Sequence, residues 1–317
     1  MVKSKYSPSS RTFYLGLSIP IEDLYLFRIK IAIDYSKSTM ETKDKVALIT
    51  GGTHGIGREI ALLLAQGGAH IAVIARNPPN EETKESIKRL GVRFLAVQAD
   101  LHTSASCENA VAAVLQEMGS IDIFIHCAGG AAPGSLLEVN SDTWHHAFDI
   151  HIHALFNISR AVVPGMKEKQ EGNIVIISSA AGIRGVRNAI AYSVVKGALP
   201  QMCRSMALEL SADNIKVNCI SPGVIRTRFQ DYLSEEQAQN NINNRIPLRR
   251  EGTGKDVAEA ALMLIKNNFI TGEKKMHTPV RGKYVRRTQV VPGYAYPGKN
   301  RNKCVRQVQR LHCTHRP

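Results

Sequence analysis

The sequence predicts an α/β domain, a doubly wound parallel sheet with helices on both faces. Three observations predict it. Short runs such as VALIT (46–50) and IAVIA (71–75) are apolar almost throughout, as expected of strands buried on both faces, which means parallel strands under covering helices. These runs alternate with longer segments whose apolar residues recur with the helical period. The first run passes directly into a glycine-rich turn, Thr50-Gly51-Gly52-Thr53-His54-Gly55-Ile56-Gly57, of the kind that joins the first strand of such a sheet to its first helix.

In chain order, strands are expected near 45–50, 70–75, 93–98, 121–126, 173–178 and 215–220, where short apolar or β-branched runs stand between longer segments. Helices are expected near 56–66, 81–90, 103–118, 142–166, 190–211 and 254–267, where the apolar spacing is helical. The folded domain is expected over 40–273, with METKDKVALIT as its natural start. Residues 1–39 read as an N-terminal extension. Its apolar stretch Phe13–Ile19 runs into Pro20, Glu22, Asp23, Arg28 and Lys30, too short and too charged for a bilayer span of about 20 apolar residues. Lys3, Lys5 and Arg11 precede that stretch and no acid appears before Glu22. A disordered arm and an organelle-targeting peptide are the two readings this composition leaves.

With 317 residues, 44% of them apolar, the chain is long enough for a sizeable core. Its net charge of +14 would ordinarily suggest a nucleic-acid or membrane partner. The charge is uneven, however: residues 274–317 carry 12 Lys and Arg and no acid, whereas residues 40–273 carry 23 cations against 24 acids. The basicity thus belongs to the ends and leaves the domain neutral. The tail 274–317 reads as a disordered extension; nucleic-acid retention by counterion release is the alternative. Six cysteines without a C-x-x-C pair indicate reduced thiols in a cytoplasmic compartment rather than a disulfide framework or a metal site.

The glycine turn carries the first chemistry. Gly51, Gly55 and Gly57 remove side chains where the backbone turns, approaches a pyrophosphate and packs a helix on the sheet, and the helix N-terminus offers N–H groups and a positive dipole end. Thr53, His54 and Ile56 belong to the same expected contact set. After the second strand comes Ala75-Arg76 rather than an acid. An arginine suits a 2′-phosphate, so NADP is expected over NAD, with a solvated loop arginine as the plain alternative. The second chemistry lies in 172–199, where Ser179 ends a β-branched run and Tyr192 and Lys196 stand four apart on a helix, hence on one face. Carbonyl reduction needs an acid at the oxygen. A phenol has a pKa of about 10, and a neighbouring cation lowers it. Tyr192 is then the acid/base and Lys196 the tuning cation, while Ser179 at the C-terminal end of its strand can hold the substrate oxygen.

Together these residues identify the chain, over about 44–273, as resembling the short-chain dehydrogenase/reductase family in its single-domain form, which has the Rossmann fold. The glycine turn matches the family's Thr-Gly-x-x-x-Gly-x-Gly. Asp100 with Leu101 matches the pair that meets the adenine, and Ala128 with Gly129 closes the fourth strand. Ser179, Tyr192 and Lys196 match the catalytic set, and Pro222, Gly223, Ile225 and Thr227 match the loop that touches the nicotinamide. The resemblance further implies that Tyr192 and Lys196 contact the cofactor, Lys196 through the nicotinamide ribose. It also implies a homo-oligomer, a dimer built on the two long helices. The expected activity is hydride transfer between NADP(H) and a carbonyl or secondary alcohol; a dinucleotide-binding protein with little activity is the competing reading.

Three departures accompany the match. Cys127 replaces an Asn that usually ties neighbouring strands, which predicts some loss of local rigidity. His151 stands where the family has an Asn that supports a water beside the lysine; it reads either as a pH-sensitive relay or as a helix residue without a part in catalysis. After Glu273 the family's apolar seventh strand gives way to KKMHTPVRGKYVRRTQ, so the last strand is expected to be lost or altered.

Overall fold

The computed structural model describes residues 41–227 and 234–276. The expectations for 1–39 and for most of the basic tail lie outside them. The observed elements follow the predicted order: β1 (Val46–Thr50), α1 (Gly55–Gln66), β2 (His70–Ala75), α2 (Glu81–Lys88), β3 (Phe94–Gln98), α3 (Ser104–Met118), β4 (Ile123–His126), α4 (Ser141–Phe148), a π-helical turn (Asp149–His153), α5 (Ala154–Lys169), β5 (Gly172–Ile177), a short α6 (Ala181–Arg184), α7 (Ile190–Leu210), β6 (Ile215–Ser221), α8 (Glu235–Asn240), α9 (Gly254–Lys266) and β7 (Lys274–Met276). The strands form one parallel sheet in the order β3-β2-β1-β4-β5-β6-β7. The order reverses between β1 and β4, and a ligand crevice opens at such a switch point, outside the carboxyl ends of the strands.

The uniform apolarity of the strands is matched by their burial, complete along β1, β4, β5 and β6. Alternate residues feed two cores. Leu48, Phe124, Ile174 and Val217 face α3, α5 and α7, while Ile49, Ile123, Val175 and Ile220 face α1 and α9. Helix α1 buries Gly57, Ile60, Ala61, Leu64 and Ala65, the i, i+3, i+4, i+7 stripe of an amphipathic helix. At the amino edge, buried Asp122 accepts from Val46 N at 2.9 Å and from Lys169 Nζ at 2.6 Å, which ties β4 to β1 and α5.

One expectation changes and another resolves between its alternatives. The helix expected over 142–166 is interrupted by the π-helical turn Asp149–His153, because a wide turn inserts a residue without disturbing the apolar periodicity on either side. The last strand, expected to be lost or altered, is altered: β7 is only three residues long and pairs in parallel with β6 (Cys219 with Lys274, Ser221 with Met276). Strand pairing is made by backbone groups, so poor side-chain alternation did not prevent it. The approach is prepared by Gly272 N donating to Val217 O at 2.8 Å and Cys219 N to Glu273 O at 2.9 Å.

Candidate active site

The glycine turn leaves β1 with positive φ at Gly51 (+67°) and Gly55 (+52°), a region that favours glycine. A Cβ on Gly57 would run into the carbonyl of Gly51, so the helix start can approach the turn only without a side chain. The N-cap residue of α1, His54, makes no side-chain cap bond and the first turn holds no acid; its Nδ1 instead meets Thr53 Oγ1 at 2.7 Å. With neither an acid nor a side-chain cap bond at its start, the first turn of α1 suits an anion, while Gly57 N is directed at the Cys127 thiol. Ile56 packs partly buried against the core on the α1 and α9 side. Thr227 reaches over Gly55, and a cleft of about 300 Å³ between Gly55, Glu59, Arg226, Thr227 and the start of α9 opens there. The loop Pro222–Thr227 is anchored from behind: Pro222 O accepts from Ala180 N at 2.8 Å, Gly223 is half-buried, and Ile225 bridges to Gly252. The glycine cradle, the open helix start and the facing loop fit a dinucleotide.

Along the same carboxyl edge, Arg76 follows β2 and its carbonyl accepts from Gln98 Nε2 at 2.9 Å. Leu101 is buried, and the carboxylate of Asp100 is engaged by His102 Nδ1. Ala128 is buried, and Gly129 has φ +155° with the His151 ring where a Cβ would stand.

Beyond β5, Ser179 Oγ accepts from Ala181 N at 3.1 Å, which orients the hydroxyl and leaves its own proton to donate. Neighbouring Ser178 Oγ donates to Lys196 O at 2.6 Å, and a Cβ on Gly182 would collide with the Lys196 backbone. The first contact seats α7 on the end of β5, and the second packs α6 against α7. Lys196 is buried with 6% exposure and donates from Nζ to Ile177 O at 2.9 Å; Nζ lies 5.7 Å from the Tyr192 ring centroid. Burial lowers its pKa to about 8, so the amine is still a cation at neutral pH. On the other side of Tyr192 the His151 ring stands edge-on at 5.9 Å. His151 is 1% exposed, with Nε2 against Gly130 O at 3.1 Å. Burial first, and Lys196 second, hold its pKa well below the usual value, so the imidazole is neutral.

The expected loosening at Cys127 is offset by Thr50, named in the sequence only as the first residue of the glycine turn and not for this role. Thr50 Oγ1 accepts from the backbone N–H of both Cys127 and Ala128 at 3.2 Å and meets His126 Nδ1 at 3.2 Å. A threonine at the end of β1 thus ties β1 to β4. The Cys127 thiol itself is raised by burial to about 11, so it is protonated and unreactive at neutral pH. Ser178 and the pair His102 and His146 were likewise not singled out. Ser178 carried a signal, the Ser-Ser end of a β-branched run; the histidine pair, 44 residues apart, carried none.

A family model described as enoyl-(acyl carrier protein) reductase matches residues 51–277. It is a short-chain dehydrogenase/reductase. As a member of that family the enzyme is an NAD(P)-dependent oxidoreductase. This dehydrogenase/reductase is 34% identical over 235 residues to dehydrogenase/reductase SDR family member 4 of Oryctolagus cuniculus, a match covering 73% of this chain and 90% of the relative. It is also 34% identical to 2,3-dihydro-2,3-dihydroxybenzoate dehydrogenase of Bacillus subtilis, over 74% of this chain and 92% of that protein. Among solved structures, L-sorbose reductase from Gluconobacter frateurii, complexed with NADPH and L-sorbose, superposes with TM-score 0.69 at 26% identity, covering 75% of this chain and 97% of that one. A short-chain dehydrogenase/reductase from Burkholderia xenovorans gives TM-score 0.70 at 30% identity, over 75% of this chain and 96% of that one. No helix among the described residues of the enzyme is long and apolar enough to cross a membrane.

Proposed function

We propose that this protein is an NADP-dependent carbonyl reductase, or secondary-alcohol dehydrogenase in the reverse direction, with Tyr192 as acid/base, Lys196 as its tuning cation and Ser179 as the holder of the substrate oxygen. The observation that carries the reading is a buried, cationic Lys196 fixed 5.7 Å from the Tyr192 ring on the face of α7 that meets the end of β5. NADP, when bound, supplies or accepts the hydride; every other task falls to the chain. In reduction, Ser179 Oγ donates to the carbonyl oxygen and Tyr192 gives it a proton as the carbon gains the hydride. In oxidation the same proton returns to Tyr192 as the carbon loses the hydride. Lys196 makes the intervening phenolate affordable by placing a positive charge beside it.

The cofactor residues under this reading are Gly51, Thr53, His54, Gly55, Ile56 and Gly57 at the pyrophosphate, Arg76 at the 2′-phosphate and Asp100 with Leu101 at the adenine. Ala128 and Gly129, Tyr192 and Lys196, and the Pro222–Thr227 loop belong to the nicotinamide end. Arg76 in place of an acid favours NADP, and a structural neighbour complexed with NADPH supports it. We also infer a dimer through α5 and α7, whose apolar Phe156 (47% exposed) and Leu208 (76% exposed) face outward; sedimentation of the full chain reads that directly. The function is tested with a panel of ketones assayed with NADPH and NADH side by side. Turnover is expected with NADPH and is expected to fall by at least about a thousandfold in Tyr192→Phe, general acid–base loss alone being worth about 10²–10⁴. Unchanged activity in that variant overturns the assignment.

A further inference from the structure

The loop Pro222–Thr227 is tied to a segment remote in sequence. Arg226 N donates to Gly252 O at 2.8 Å and Gly252 N to Val224 O at 3.0 Å, a short parallel ladder in which Ile225 pairs with Gly252. Beside the ladder, Arg226 Nε meets Glu251 Oε2 at 2.5 Å. The pair is lopsided, with the Arg226 side chain 57% exposed and that of Glu251 only 7%. Glu251 Oε1 is buried without a hydrogen-bond partner. Among the described residues, Arg226 is the one ion-pair partner of that carboxylate.

The segment beneath the pair is held firmly. Arg250 donates to Asp256 from both terminal nitrogens, at 3.1 and 3.0 Å, and to Glu251 O at 3.1 Å. Asp256 Oδ2 accepts in turn from Thr253 N at the start of α9. Glu251 is thereby fixed to α9, which shares a core with α1, the helix that leaves the glycine turn. On the other side of the pair, Thr227 follows Arg226, and its Cγ2 lies 3.3 Å from where a Cβ on Gly55 would stand. Gly55, Arg226 and Thr227 wall the same cleft. A buried carboxylate stripped of its cation is strongly unfavourable. The pair therefore resists opening, and any movement of Thr227 away from Gly55 pulls against it.

We propose that the Arg226–Glu251 ion pair is a clamp that positions Thr227 over the glycine turn, so that Glu251 governs how tightly the dinucleotide is held without taking part in hydride or proton transfer. Glu251 is a positioning residue, acting through Arg226 and Thr227. The same pair neutralises Arg226 and keeps its charge from being spent on a phosphate. The clamp reads nothing at the 2′ position, so it serves NADPH and NADH alike. This rests on the reading of Pro222–Thr227 as a cofactor loop.

The test is fluorescence titration of the full chain with NADPH and with NADH, beside steady-state turnover of one ketone. Glu251→Gln keeps the shape of the side chain and removes its charge. It is expected to weaken both dinucleotides equally, by about tenfold. The KM for NADPH is expected to rise to match, while kcat at saturating NADPH stays within about twofold of wild type. Arg226→Gln is expected to weaken both dinucleotides at least as much, because it leaves the buried carboxylate uncompensated. The double variant is expected to bind no worse than Arg226→Gln alone, since the two side chains act as one unit. A direct bond from Arg226 to the phosphates predicts the opposite sign: freeing Arg226 from Glu251 would tighten binding. Unchanged or tighter binding in Glu251→Gln, a loss confined to NADPH, or a kcat that falls in step with affinity overturns the clamp and leaves the cofactor reading standing. Failure of the wild type to bind either dinucleotide overturns both.

Discussion

His151 meets three partners at once: its ring fills the place of a Cβ at Gly129, its Nε2 faces Gly130 O, and its edge meets Tyr192. A side chain at Gly129 must displace that ring. Gly129→Ala is expected to destabilise the fold by at least about 2 kcal/mol through overpacking and the left-handed φ, and His151→Ala to restore part of the loss. A double-mutant cycle by chemical denaturation reads the coupling, and strict additivity would contradict the contact. Lys196 gives a second expectation. Its folded pKa of about 8 lies below the unfolded 10.5, so below pH 8 the amine is charged in both states and the fold bears the whole desolvation cost, about 3 kcal/mol. That cost disappears as pH rises from 8 to 10.5. Lys196→Met is therefore expected to lose turnover yet melt no lower than wild type at pH 7, even without the bond to Ile177 O. Thermal melts between pH 7 and 10 should also show a flatter profile than wild type.

Among the elements, the π-helical turn Asp149–His153 sits where the chain passes beneath Tyr192. Wide turns of this kind cluster at functional sites, and this one carries the buried His151, which the sequence left between a relay beside the lysine and a helix residue without a part in catalysis. Helix α9 owes its start to a capping box: Asp256 N donates to Thr253 Oγ1 at 3.3 Å and Thr253 N to Asp256 Oδ2 at 2.7 Å. Arg250 first, then Thr253, holds the Asp256 carboxyl well below the usual range, so the box survives mild acid. Thr253→Ala is expected to cost about 1 kcal/mol, read as a lower denaturation midpoint at unchanged slope. Because α9 packs on α1 across the shared core, a change in slope instead would mean that the two helices had separated.

At the scale of the molecule, two apolar cores enclose buried groups that resist charge. His126 is 1% exposed and its pKa is lowered to about 3, by burial first and by Lys196 second. Between pH 6.5 and 3 the unfolded chain binds a proton that the folded chain refuses, so stability is full above pH 6.5 and is lost as pH falls. His126 alone is expected to remove about 2 kcal/mol between pH 6.5 and pH 5, ahead of most carboxylates, with His151 adding in the same direction. Urea denaturation at the two pH values checks this, and His126→Asn is expected to flatten the loss.

The doubly wound class, the strand order along the chain and the residues of the glycine turn and of the Tyr192 and Lys196 face were legible because each is written in local periodicity or short spacing. An apolar run reports burial on both faces wherever it occurs, and residues four apart on a helix share a face whatever surrounds them. The short β7, the wide turn at His151, the Thr50 tie that stands in for an amide at Cys127 and the stack of His102 on His146 were decided only by the tertiary structure. Each joins residues remote in sequence through backbone pairing, burial or close approach. The charge state of His126, His151 and Lys196 follows from those same surroundings, because desolvation and neighbouring charge act through space and leave no trace in the order of residues.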